Sequence, residues 1–145
     1  MKPSTMYSIL TESTELTDLH AEYEYSNGLV VPAIFRNQAE QTSKFPYTVF
    51  RFDSITGNHW NKNTRYCYFD SFDKGGSWNT LEDIARELKN LLHKLKTSDE
   101  DWGAIRVEFD NDDEVPEEED DVLHYHARYK ISAWDKRFIE NSNNI

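Results

Sequence analysis

A chain of 145 residues that is 14% aromatic and 37% hydrophobic is long enough for one buried core and too aromatic for a disordered polymer. A mean hydropathy of −0.83 excludes a membrane-spanning helix, and a single cysteine, Cys67, excludes an internal disulfide and any zinc cluster of several thiolates. The formal net charge of −11 is local: of 27 acidic residues, nine lie in DNDDEVPEEEDD (residues 110–121), which holds no Lys or Arg, while the other 18 nearly balance 16 bases. Such a segment is a poor ligand for free nucleic acid. No long apolar run follows MKPSTMYSIL, so the expectation is a soluble protein without a secretory signal, in a reducing cytosol.

In chain order, Met6, Ile9 and Leu10 mark a short helix over residues 3–10, with a further turn near Leu16. LVVPAIF (29–35) is apolar, but Pro32 has no N–H to donate. This suits a sheet edge or an extended arm able to pair with another subunit. Residues 36–44 read as a loop, YTVFRFD (47–53) alternates as a strand does, and 54–63, with Gly57, Asn58 and Asn61, read as a turn. TRYCYFDSF (64–72) is apolar on both faces, as a central strand would be, and DKGGSW (73–78) is a loop whose glycines permit a sharp change of direction.

TLEDIARELKNLLHKL (80–95) is the most regular stretch. Leu81, Ile84, Ala85, Leu88, Leu91, Leu92 and Leu95 share one helical face, acids precede bases on the other, and Asn79 or Thr80 is placed to cap the first turn. Residues 97–101 close the helix, and 104–109 alternate as another strand. The longest alternation, 122–134, sets Leu123, Tyr125, Ala127, Tyr129, Ile131 and Ala133 against His124, His126, Arg128, Lys130 and Ser132, giving one core face and one wet face. The predicted architecture is α+β. A four- to five-stranded antiparallel sheet packs on the central helix through Phe50, Phe52, Ile105, Val107, Tyr125, Tyr129 and Ile131, with a short N-terminal helix. One domain covers residues 1–138, and 139–145 form a flexible tail.

Catalysis finds little to work with. His124 and His126 form an H-x-H pair with the spacing of metal ligands, yet alternation alone places them on the solvent face beside Arg128 and Lys130. The acidic segment lacks the glycine of a calcium loop, Val115 standing there, and its flanks read as strands, so it is a solvated hairpin connection or a partner-facing loop. Cys67 sits in an aromatic strand as a packed thiol, Gly75 and Gly76 make no phosphate loop, and no serine stands in a nucleophile elbow. Trp60, Trp78, Trp102 and Trp134 lie near turns or strand ends, as core lids or interface anchors. No catalytic, cofactor or metal residues are assigned.

The order of these segments resembles the tail-completion or tail-terminator proteins of long-tailed bacteriophages. The likeness lies in the LTDL step (16–19), the VPAIF arm, the FPY that opens the first long strand (45–47), the aromatic strand after it, the TLEDIARELKNLL helix and the closing HYHARYKISAW, roughly residues 6–138. It implies a non-enzymatic α+β virion protein, assembled in the host bacterial cytoplasm into a homo-oligomeric ring, typically a hexamer in that family. Such a ring ends the tail tube and joins it to the head connector protein, and DNA passes through its channel without specific binding.

A rotational ring needs two different complementary patches per subunit. The candidates are Asp112, Asp113, Glu114, Glu117, Glu118 and Glu119 in the acidic segment, Arg128 and Lys130 on the last strand, and Val31 and Pro32 in the arm. The acidic segment either meets the basic strand face of a neighbour or lines the channel, where like charge repels DNA. The alternative is an acidic inhibitor or DNA mimic that blocks a nucleic-acid-binding enzyme, which would spread its acids over a surface as phosphates are spread. An enzyme would need a pocket of convergent perturbed groups, for which only His124 and His126 offer themselves.

Overall fold

Two thirteen-residue strands with inward-facing aromatics form the centre of the computed structural model, which describes residues 1–59, 62–100, 103–119 and 121–134. In chain order its elements are α1 (Pro3–Glu12), α2 (Thr14–Thr17), β1 (Glu22–Glu24), β2 (Val30–Pro32), β3 (Ile34–Arg36), β4 (Tyr47–Phe52), β5 (Thr56–His59), β6 (Lys62–Lys74), α3 (Asn79–Leu92), β7 (Lys96–Asp99), β8 (Gly103–Val115) and β9 (Val122–Trp134). The flexible tail expected at 139–145, the end of the predicted domain, Trp60 and Trp102 lie outside the described residues.

The architecture is α+β, but the sheet is larger than predicted. Six strands run in the order β3-β4-β6-β9-β8-β7, β5 adds a seventh against β6, and β1 and β2 make a separate two-stranded sheet. It is also not wholly antiparallel, because β3 pairs with β4 in parallel. Strands of three or four residues, such as β3 and β7, are too short to show alternation, which is why 97–101 read as the helix end. The turn expected at 54–63 likewise contains β5 and the start of β6.

Alternation places Phe50, Cys67, Phe69, Ala127, Tyr129 and Ile131 on one face of the sheet, all buried, joined by Ile105 and Val107 from β8; Phe52 is partly buried beside them. Onto this face α3 lays Leu81, Ile84, Leu88 and Leu92, and α1 and α2 add Met6, Leu10 and Leu16. Each α3 side chain contributes roughly 1.5–3 kcal/mol by leaving water, which anchors a helix too short to persist alone. The helix stops at Leu92, three residues before the predicted end, because Lys94 adopts φ 64° and turns the chain into β7. Trp78 occupies the N-cap position with no side-chain cap, so neither Asn79 nor Thr80 caps as expected. No described helix is long and apolar enough to cross a membrane.

Three polar side chains inside the core, His20, Thr48 and Ser71, form one paired chain. His20 is buried, with Nδ1 2.8 Å from the Leu16 carbonyl oxygen and Nε2 2.7 Å from Thr48 Oγ1, itself 2.8 Å from Ser71 Oγ. Burial lowers the His20 pKa against the carbonyl contact that raises it. The ring is therefore neutral: Nδ1–H donates to the carbonyl, Thr48 donates to Nε2, and Ser71 donates to Thr48. This chain ties the segment after α2 to β4 and β6.

A β-bulge between Phe109 and Asn111 changes which residues of β8 face the helices. Before it, Val107 and Phe109 pair with inward-facing Ile131 and Tyr129; after it, Asp112 and Glu114 pair with Ala127 and Tyr125. One extra residue inverts the alternation. The acidic segment is thus not a loop from residue 110 onward: β8 continues to Val115 and forms a hairpin arm with β9.

Candidate functional site

The sheet face opposite α3 carries Tyr66, Tyr68, Asp70 and Phe72 from β6 and His124, His126, Arg128 and Lys130 from β9, all half-buried. Cations lie over its rings. The Arg51 guanidinium sits 4.3 Å from the Tyr68 ring centre, Arg128 4.7 Å from Tyr66, and Lys62 Nζ 5.5 Å from Trp134. Arg128 Nε also donates to Asp110 Oδ2 at 2.5 Å, a bond that raises its pKa further. This basic residue, expected to meet a neighbour's acids, already meets one of its own.

At one end of this face an aromatic row crosses three strands. Tyr47, Phe72 and His124 are register partners on β4, β6 and β9, with rings stacked at 5.1 and 4.2 Å, and Phe45 lies 5.3 Å from Tyr47. His124 stands between two carboxylates, Nε2 2.7 Å from Asp70 Oδ1 and Nδ1 2.7 Å from Glu117 Oε1. His126 Nδ1 reaches the same Asp70 oxygen at 2.8 Å. Partial burial works against charge on His124, but the bonds to Asp70 and Glu117 outweigh it and raise its pKa. Both ring nitrogens can donate only when the ring is protonated, so this geometry belongs to the imidazolium. At Asp70 burial, which would raise the pKa, is outweighed by the bonds from His124 and His126, which lower it.

The H-x-H pair is therefore not simply solvated, and its partners are carboxylates. Among the described residues no group of three or more His, Cys, Asp or Glu is placed to hold a metal ion. Glu117, held by His124, brings the turn after β8 over the aromatic row. Together they enclose a groove of about 530 Å³ lined by Phe45, Tyr47, Phe72, Pro116, Glu117, Glu118, Glu119 and Val122.

The other predicted acids lie elsewhere. A second hollow, about 440 Å³, separates α3 from the hairpin arm and is lined by Trp78, Leu81, Ala85, Lys89, Asp112, Asp113, Glu114 and Tyr125 among others. The Tyr125 hydroxyl donates to Asp112 Oδ2 at 2.6 Å, and Lys89 Nζ lies 3.5 Å from that oxygen and 4.2 Å from the Phe109 ring centre. Asp112 therefore faces the helix side, where the bulge turns it.

Val31 and Pro32 pair with Tyr23 and Glu22 of the same chain, so the segment is one side of a hairpin and not an unpaired arm. Its apolar exposure lies one step earlier, at Leu29 (55%) and Val30 (51%). Lys130 on β9 is flanked in register by Tyr66 of β6 and Glu108 of β8. Structure thus brings Glu117, Glu118 and Glu119 to one groove, turns Asp112 towards α3, and adds Asp70, Phe45, Tyr47, Phe72, Leu29 and Val30. Asp70 had a signal: it is the one carboxylate inside the aromatic run 64–72.

No family model matches the chain, and no curated protein does. Among solved structures, the chain is similar to one in the virion of a native gene transfer agent (GTA) particle. The TM-score is 0.66 at 10% identity, over 88% of this chain and 90% of that one. The two share a fold across nearly their whole lengths.

Proposed function

We propose that this chain is a structural protein of a phage-like virion, forming a ring at the head–tail junction that ends the tail tube and presents a surface to the head connector. The observation that carries this reading is the whole-length fold similarity to a chain of a gene transfer agent virion, found independently of the segment order that resembles tail terminators. The role is non-catalytic. The ring is a homo-oligomer, with six copies as the working number, built in the bacterial cytoplasm and retained in the particle.

Surface chemistry agrees with such a role. A heterologous ring contact joins two unlike patches on each subunit, and here an acid-rimmed aromatic groove, a cation-bearing sheet face and an exposed Leu29–Val30 tip lie at separate places. The unbalanced acidic charge is concentrated around one hairpin, which disfavours a mimic of the DNA backbone and leaves the channel wall without a reason to hold DNA. The test is sedimentation of the purified protein with tail tubes, followed by negative-stain imaging. Rings at one end of the tubes support the proposal, and protein that stays wholly in the supernatant refutes it.

A further inference from the structure

The groove at the hairpin end combines two features that together select a ligand. Its floor is a row of three rings, with Tyr47 stacked on Phe72 and Phe45 tilted against Tyr47, and its rim is Glu117, Glu118 and Glu119. Glu117 is engaged by His124, while Glu118 and Glu119 are exposed. Stacked rings offer π faces to cations and flat apolar surface to aromatic or aliphatic side chains, and the carboxylates fix the sign of the charge. The fitting occupant is a short segment with basic residues beside large apolar ones.

This sequence contains one. Residues 136–139 read Lys-Arg-Phe-Ile and come one residue after the end of β9 in the sequence. They cannot reach the groove of their own chain. The groove includes Val122, at the start of β9, whereas Trp134 ends it; twelve strand steps of about 3.3 Å separate these ends by roughly 40 Å. From Trp134, Phe138 extends only about 14 Å.

We infer that the Lys136–Ile139 segment of one copy docks in the Phe45–Tyr47–Phe72 groove of the next, its basic side chains against Glu118 and Glu119. This rests on the ring reading and supplies its directional contact. Segment and groove are different surfaces at opposite ends of β9, so the contact is head-to-tail, as a rotational ring requires.

The test uses a fluorescein-labelled peptide of residues 135–144 and the full-length chain carrying Lys136→Glu and Arg137→Glu, which removes its own tail from competition. Anisotropy should rise to saturation. Adding Glu118→Gln and Glu119→Gln to the protein, both at exposed positions, should weaken binding about tenfold, as should Phe138→Ala with Ile139→Ala in the peptide. Absence of saturation, or a curve that neither change moves, overturns the inference. Subunit number by mass photometry separates the two ideas. Rings without peptide binding refute only this contact, whereas saturable, groove-dependent binding by a chain that never closes a ring upholds the contact and refutes the ring.

Discussion

His124 Nε2 lies 2.7 Å from Asp70 Oδ1, joining β9 to β6 on the open face, and Glu117 holds the other ring nitrogen. The His124 pKa is raised, so the bonds stabilise the fold fully below the usual histidine value of about 6.5 and are lost as pH climbs through the raised value. Asp70 is depressed, so its share is present above about 3.9 and is lost as pH falls through its lowered value. His20 runs the other way, since a neutral buried ring loses stability as acid forces it to charge. The difference between variants isolates the cluster. Urea midpoints of wild type and His124→Asn should differ most near pH 5 to 6 and converge as pH rises past the raised His124 value; a difference independent of pH would contradict the ionic reading.

Leu88 is 1% exposed and meets the sheet at the middle of α3. Leu88→Ala removes its methyl groups and leaves a cavity, so chemical denaturation should report a loss of about 2–5 kcal/mol. Oligomer size well below the melting temperature should not change, because Leu88 touches no proposed interface.

Two inward-facing tyrosines on β9 should respond oppositely to loss of a hydroxyl. The Tyr125 hydroxyl bonds the Asp112 carboxylate, and Tyr125→Phe should cost about 1.5 kcal/mol. The Tyr129 hydroxyl is buried with no hydrogen-bond partner among the described residues, so Tyr129→Phe should be neutral or stabilise by up to about 1 kcal/mol. Equal destabilisation in both melting curves would mean that Tyr129 has a partner.

Leu29 and Val30 stand exposed at the β1–β2 tip, around a turn closed by Tyr25 N–H donating to the Leu29 carbonyl and Gly28 N–H to the Tyr25 carbonyl. Replacing both by Ser should alter monomer stability by no more than about 0.5 kcal/mol per site. If the tip is covered in the ring, the same double variant should shift assembly to higher protein concentration in mass photometry.

How much was legible follows from which forces act locally. The α3 face and the long alternations of β6 and β9 are period patterns driven by burial, and Leu88, Tyr129 and Ile131 lie where those patterns place them. Asp112 turns towards α3 because a bulge inverts alternation without any sequence mark, and only the 110–115 part of β8 looks like a loop in the sequence, because its acids disguise a strand held by pairing to β9. The His124–Asp70 contact joins residues 54 positions apart, and only strand register brings them together. Among the predicted interface residues, Glu117 to Glu119 converge on one groove because the hairpin turns there. Arg128 does not remain free, because Asp110 lies across the same hairpin.

The central claim is that copies of this chain close into a ring. Mass photometry of the purified protein, alone and then with tail tubes added, measures that directly. A discrete species at a whole-number multiple of 17.1 kDa, near about 100 kDa for six copies, is the predicted result. A particle that remains at 17.1 kDa across the micromolar range and never joins the tubes would contradict it.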